Sequence, residues 1–151
     1  MTNITVEPLD RRHDRTVFHC GEEALDRYLK QQARQDADKR VAAPFVAVSP
    51  PSARVLGYYT LSASVLTLAD LPDDLAVDQS TKGQGLGEHL LLDALCRSLT
   101  HADQIAAMAV VVDAKDEAAA GFYRHYGFLT LQTQPSRLFV PMGTVARLLG
   151  R

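Results

Sequence analysis

Apolar and polar residues along this chain recur with periods that change from segment to segment, and the changes mark its elements. Ile4 to Glu7 opens as a short strand. Between Gly21 and Asp38, Leu25, Tyr28, Leu29, Gln32 and Ala33 return at helical spacing, which predicts one helix. Pro44 to Val48 reads as a strand stopped by the turn Ser49-Pro50-Pro51-Ser52. Val55 to Val65 predicts a second strand with Tyr58 and Tyr59 on opposite faces, antiparallel to the first. Leu71-Pro72-Asp73-Asp74 breaks the chain before a brief strand, Leu75 to Asp78. An apolar-rich segment through Leu92, Leu95 and Leu99 predicts a helix starting at Gly87. Ile105 to Val112 is almost all apolar, the pattern of a strand covered on both faces, as in a parallel pairing. Asp116 to His125 predicts a short helix with Gly127 at its C-terminal cap. Phe128 to Gln132 and Arg137 to Val140 suit a last hairpin, and Thr144 to Leu149 a final helical turn or two. Antiparallel strands followed by strand, loop, helix, strand and helix give an α+β fold around a mixed sheet.

Composition narrows the class without naming it. At 151 residues the expectation is one domain, residues 1–151, with room for a real core. A formal charge of −2 gives no global basic signature. The start, Met1 to Glu7, lacks the basic and apolar blocks of a signal peptide, and no apolar run approaches membrane-spanning length. Cys20 and Cys96 form neither a CxxC pair nor a disulfide framework, which suits a reducing cytoplasm. Cys96, on the helix face of Leu92 and Leu99, is expected as a buried thiol. His89, His101 and His125 have no metal-ligand spacing with carboxylates, so no metal is expected.

The first chemistry lies in Lys82-Gly83-Gln84-Gly85-Leu86-Gly87. Alternate glycines leave a run of backbone amides unshielded, and the helix that follows adds its own unpaired N-terminal amides and dipole. That combination is an anion site, although a glycine loop alone also serves as a flexible helix entry. A P-loop needs Lys-Ser/Thr after its last glycine, where this chain has Glu88-His89. A dinucleotide fingerprint needs two residues between its last glycines, whereas one separates Gly85 from Gly87.

A second constellation is Ala119-Ala120-Gly121-Phe122-Tyr123-Arg124-His125-Tyr126-Gly127-Phe128. Phe122 and Ala119 are expected to face the core, with Tyr123 turned to one side. A phenol with a pKa of about 10 is protonated near neutrality and suits protonation of a departing thiolate, whose pKa is about 8.5. The plainer alternative is a core aromatic with a satisfied hydroxyl.

Together, the glycine loop, the apolar strand and A-x-x-F-Y-x-x-x-G-F resemble the GNAT N-acetyltransferase superfamily. Its pyrophosphate motif is Arg/Gln-x-x-Gly-x-Gly/Ala, and Lys82, Gly85 and Gly87 stand at its first, fourth and sixth positions. The resemblance implies the GNAT acyltransferase fold, a mixed, mostly antiparallel central sheet flanked by helices on both faces. It implies acetyl-CoA as cosubstrate, held by Leu75, Ala76, Val77, Lys82, Gly83, Gln84, Gly85, Leu86, Gly87, Asp116 and Phe122. It implies Tyr123 as general acid. Asp116 stands where many members carry an Asn, seven residues before that Tyr.

Further segments narrow the resemblance: Pro8-Leu9-Asp10 to Asp14, Phe18-His19-Cys20-Gly21, Leu25-Asp26-Arg27-Tyr28-Leu29, Gly57 to Ser62 and Arg137 to Met142. They look like the acetyltransferase toxins of bacterial type II toxin–antitoxin modules. That subfamily implies acetylation of the α-amine of aminoacyl-tRNA, blocked translation, a ribbon-helix-helix antitoxin and a homodimer. Freeing an α-amine at pH 7 costs about 1 kcal/mol, against about 4.6 kcal/mol for a lysine amine. Such an acceptor manages without a placed base, and neither Glu88 nor Asp78 reads as one. Arg11, Arg12, Arg15, Arg27, Lys30, Arg34, Lys39 and Arg40 crowd the first quarter of the chain, interleaved with acids. They form a salt-bridged face or a stripe for RNA phosphates. One departure stands out: related toxins carry a longer segment between Leu71 and Leu75. The alternatives are a GNAT for a small-molecule amine or a protein N-terminus, and a degenerate, non-catalytic module that binds an antitoxin.

Overall fold

Among the described residues, seven strands and five helices follow one another in the order that the apolar pattern predicts, except that one expected helix is two. The computed structural model describes residues 3–39, 42–61, 75–105, 109–131, 134 and 136–150. Its chain divides into two compact units, Met1–Asp93 and Ala94–Arg151.

The first unit holds an antiparallel sheet ordered β1 (Thr5–Pro8), β2 (Ala43–Val48), β3 (Gly57–Leu61) and β4 (Leu75–Val77). The predicted hairpin is present, with Phe45 opposite Tyr59 and Val46 opposite Tyr58. Only its first part is described, since residues 62–65 of the expected second strand lie outside the described residues, as does the break at residues 71–74. β4 pairs with β3 through all three of its residues, and among the described residues it is the terminal strand of this sheet.

Gly21 to Asp38 forms two helices rather than one, α1 (Glu23–Gln31) and α2 (Ala33–Asp38). Gln32 leaves the helical basin (φ −121°), ending α1 through its amide to Tyr28 and starting α2 as carbonyl acceptor for Asp36. Apolar spacing runs through this joint unchanged, so periodicity could not reveal it. Leu29, Ala33, Phe18, Val46, Val55 and Tyr58 form the core of the unit, each 1% exposed or less. Tyr58 and Tyr59 take opposite faces, as alternation requires. The Tyr58 ring packs edge-on against Phe18 and its hydroxyl donates to the Leu25 carbonyl (2.7 Å). Tyr59 stacks on Phe45 and donates to Asp93 Oδ2 (2.5 Å). Gly57 is needed for close approach: a Cβ there would stand 2.8 Å from Leu90 Cδ1 and 3.0 Å from the Ala76 carbonyl oxygen.

Helix α3 (Leu86–Ile105) begins one residue earlier than predicted, with the Gly85 carbonyl accepting its first turn's bond from His89 (3.1 Å). In the second unit β5 (Ala109–Asp113), β7 (Arg137–Pro141) and β6 (Leu129–Thr130) form a sheet in that order. The ladder described for β5 is antiparallel to β7, not parallel. Every strand ladder described is antiparallel, and the one parallel pairing is the isolated bridge between Asp14 and Arg54. Helix α4 (Glu117–His125) is capped by Asp116 and closes at Gly127 (φ +95°), and α5 (Met142–Leu148) ends the chain. Of the two cysteines, Cys20 is the buried one and Cys96 is half-buried. No helix of the described residues is long and apolar enough to cross a membrane.

Candidate active site

Leu75, Ala76 and Val77 lead directly into the loop that the glycines define. Among the described residues β4 is the terminal strand of its sheet, with one edge whose amides and carbonyls face away from the β3 ladder. An extended ligand bearing amides can add to such an edge. Asp78 ends the strand, a 3-10 turn (Gln79–Thr81) follows, and Lys82 opens the glycine loop.

Gly83 and Gly85 adopt φ of +81° and +80°, a backbone that side chains rarely take. No described protein atom lies within 4 Å of where a Cβ would stand at either position. Both observations favour glycine: the turn requires the left-handed conformation, and the bare backbone leaves its amides open to a bulky anion. Lys82, Gly83, Gln84 and Gly85 are exposed, Gly87 is half-buried, and Leu86 is buried as the apolar anchor of the helix start. The first-turn amides of α3 have no intrahelical acceptor and add to the cradle.

The Lys82 ammonium donates to the Cys20 carbonyl oxygen (2.6 Å), and Gln79 Nε2 donates to the same atom (3.2 Å). The segment His19-Cys20-Gly21 therefore lies on the foot of the loop. Gly21 is favoured there by its φ of +96°, and a Cβ would displace the Gln79 amide, 2.2 Å away, from its place at the loop foot.

Two buried carboxylates organise the same region. Asp78 is 3% exposed and accepts from the His19 amide, the Ser80 amide and hydroxyl, and Arg54 Nη2. Asp26 accepts from the Cys20 amide (2.9 Å) and faces His19 Nδ1 (3.2 Å). Burial pushes both carboxyls up, but hydrogen bonds outweigh it: Ser80 and His19 with the Arg54 charge at Asp78, Cys20 and His19 at Asp26. Both are held below the usual carboxylate range. Sequence reasoning weighed Asp78 only as a base and passed over Asp26, Arg54 and Gly21. The Asp-x-Ser spacing of a capped turn was the available signal at Asp78.

The other predicted residues gather on α4. Asp116 Oδ1 accepts from the Ala119 amide (2.8 Å), so this carboxylate caps the helix. The helix is turned by one residue from the expected orientation: Ala120 and Tyr123 are buried, whereas Ala119 and Phe122 are half-buried. Glu117 and Arg124 pair on the exposed side of the helix, a stripe that leaves both Phe122 and Tyr123 off it and so does not choose which ring is buried deeper. Tyr123, 5% exposed, sits between the rings of Phe122 (centroids 5.3 Å, edge-on) and Phe128 (5.3 Å, tilted). Phe128 reaches it across the Gly127 turn, where its amide donates to the Tyr123 carbonyl (3.2 Å). In the neighbouring strands Arg137 is buried and forks onto Asp113, Nε to Oδ1 at 2.8 Å and Nη2 to Oδ2 at 2.9 Å.

A family profile for the acetyltransferase (GNAT) domain matches residues 42–129, more than half of the chain. The chain is similar to a probable toxin, TacT, of Sinorhizobium fredii, 30% identical with 96% of this chain and 94% of that protein covered. It is also similar to a tRNA-acetylating toxin of Mycobacterium tuberculosis, 33% identical with 91% of each chain covered. A tyrosine-to-phenylalanine mutant of the toxin AtaT, solved with the C-terminus of the antitoxin AtaR and acetyl-CoA, matches at a TM-score of 0.88. It is 28% identical, and 99% of both chains is covered. AtaT complexed with acetyl-methionyl-tRNAfMet matches at 0.86, with 27% identity over 97% of this chain and 99% of that one. The glycine cradle, the edge strand and the tyrosine helix thus stand in a chain that belongs to the GNAT acetyltransferases and is an acyltransferase.

Proposed function

We propose that this chain is a toxin that transfers the acetyl group of acetyl-CoA to the α-amine of an aminoacyl-tRNA and so blocks translation. The observation carrying this reading is similarity over nearly the whole chain to a tRNA-acetylating toxin, joined to a glycine loop whose backbone leaves room for a diphosphate. AtaT bound to acetyl-CoA and AtaT bound to acetyl-methionyl-tRNA supply the cosubstrate and the kind of product.

In this reading the coenzyme supplies the acetyl thioester. Leu75, Ala76 and Val77 offer backbone amides and carbonyls to its arm. Gly83, Gln84, Gly85, Leu86 and Gly87 offer amides to its diphosphate, with Lys82 and Phe122 as flanking contacts. Asp116 acts through the helix it caps. Tyr123 gives its phenolic proton to the leaving sulfur, and Phe122 and Phe128 hold the ring to that task. The acceptor amine loses its proton to water, because freeing an α-amine near neutrality costs only about 1 kcal/mol. The finer assignments are a single domain over residues 1–151, a homodimer, a cytoplasmic location and a ribbon-helix-helix antitoxin as partner.

The test is incubation with acetyl-CoA and mixed aminoacyl-tRNAs, followed by mass spectrometry of the released amino acids. N-acetylated amino acids are the expected product. Transfer to small amines or peptide N-termini, with charged tRNA left untouched, overturns the substrate. A second reading, an inert antitoxin-binding module, rests on the short segment between Leu71 and Leu75 in the sequence. Failure to bind acetyl-CoA selects it.

A further inference from the structure

Asp78 uses every polar group it owns. Its amide donates to the Leu56 carbonyl (2.8 Å), and its own carbonyl accepts from the Thr81 amide and hydroxyl (3.0 Å each). Oδ1 accepts from the His19 amide (2.8 Å). Oδ2 accepts from the Ser80 amide (3.1 Å), the Ser80 hydroxyl (2.5 Å) and Arg54 Nη2 (3.0 Å), and that guanidinium also reaches Ser80 Oγ (3.1 Å). Segments distant in sequence thereby meet at one buried carboxylate. The clip is reinforced by the Gln79 amide on the His19 carbonyl (2.7 Å) and by Lys82 and Gln79 on the Cys20 carbonyl.

The knot stands immediately before a loop that has little else to order it. Gly83 and Gly85 carry no side chain, and nothing described lies within 4 Å of their would-be Cβ atoms. Their amides are positioned by the two ends of the loop, α3 on one side and the Asp78 turn on the other. Loosening either end enlarges the set of loop conformations that binding must collapse, and that entropy comes out of affinity.

Resting on the acetyl-CoA reading above, we propose that Asp78 is a positioning residue: by tying His19, Arg54 and Ser80 to the foot of the glycine loop, it preorganises the amides that receive the coenzyme's diphosphate. It touches neither the thioester nor the acceptor, so its effect falls on coenzyme binding.

Asp78→Asn is the direct test. Asparagine keeps one acceptor for His19 and places an amide nitrogen where Ser80 and Arg54 donate. The Kd of acetyl-CoA by calorimetry and its KM both rise by about tenfold or more. The kcat at saturating acetyl-CoA stays within about twofold. A merely structural role gives a different signature, since a smaller folded fraction scales the apparent kcat and leaves KM unchanged. Arg54→Met removes one arm of the knot and shows the same split at smaller amplitude, and it decides the matter should Asp78→Asn not fold. Folded variants with wild-type Kd, or a fall in kcat at constant KM, overturn the proposal. Wild-type protein without acetyl-CoA affinity in the same calorimeter overturns the acetyltransferase reading with it. Wild-type binding alongside unaltered variants overturns this inference alone.

Discussion

The phenol of Tyr123 is held by two aromatic neighbours, Phe122 beside it in sequence and Phe128 across a glycine turn. Replacing it with Phe removes one oxygen and keeps that packing. Tyr123→Phe is expected to retain acetyl-CoA affinity and to lose about 10²–10⁴ in single-turnover rate. A rate equal to wild type removes the tyrosine from the mechanism. The buried carboxylates answer to a different variable. Asp26 and Asp78 have folded-state pKa values below the ordinary 3.8, so the folded state binds fewer of their protons than the unfolded one. Their stabilisation is complete above the ordinary value and is lost as pH falls through the depressed ones. Urea midpoints measured from pH 6 down to pH 2.5 should therefore drop below about pH 4. Asp78→Asn should lower the midpoint at pH 6 and flatten that acid limb, whereas an unchanged limb removes Asp78 from the balance. Individual residues were the least legible scale in the sequence. Tyr123 is found through the pattern around it, but its burial is not, because the polar stripe of Glu117 and Arg124 leaves both Phe122 and Tyr123 on the other side of the helix.

At the scale of elements, three boundaries that the sequence states chemically are where the structure puts them. Asp116 caps α4, Gly127 ends it in the left-handed region, and the Pro50-Pro51 turn separates β2 from β3. Boundaries set by tertiary contact were not legible. The joint at Gln32 interrupts no apolar spacing, and the closeness of Gly57 to Leu90 shows only when α3 lies on the sheet. The glycine loop falls between these cases: its composition was plain, its anchoring through His19 and Cys20 was not. Gly85→Val is the element-scale test of the loop. Valine at φ +80° strains the turn and fills the cradle, so acetyl-CoA affinity should fall at least tenfold, by roughly 1.4 kcal/mol or more. Circular dichroism should keep its helical signal. Wild-type affinity in that variant removes the loop from the coenzyme site.

For the whole molecule, a net charge of −2 hides a basic N-terminal quarter. Part of that quarter is committed within the fold. Arg12 pairs with Glu7 and Asp10, Arg27 with Glu23 (3.1 Å), and Arg15 donates to the Leu29 carbonyl (3.0 Å). Arg11, Lys30 and Lys39 are exposed and remain candidates for RNA phosphates, while Arg40 lies outside the described residues. Charged-tRNA affinity should accordingly fall with salt, with a log–log slope of about −0.7 to −0.9 per phosphate neutralised. Lys30→Ala should shallow it by close to one contact's worth. A slope indifferent to salt places the RNA-binding surface elsewhere. The fold class and family were legible because they rest on spaced glycines, caps and alternating apolar strands.

The docking of His19, Cys20 and Gly21 against the turn ahead of α3 has a consequence for how the enzyme is assembled and handled. The residues that anchor the foot of the glycine loop are contributed by a stretch made early on the ribosome and a stretch made much later. A fragment lacking its first two dozen residues would keep every glycine of the loop and still grip acetyl-CoA poorly.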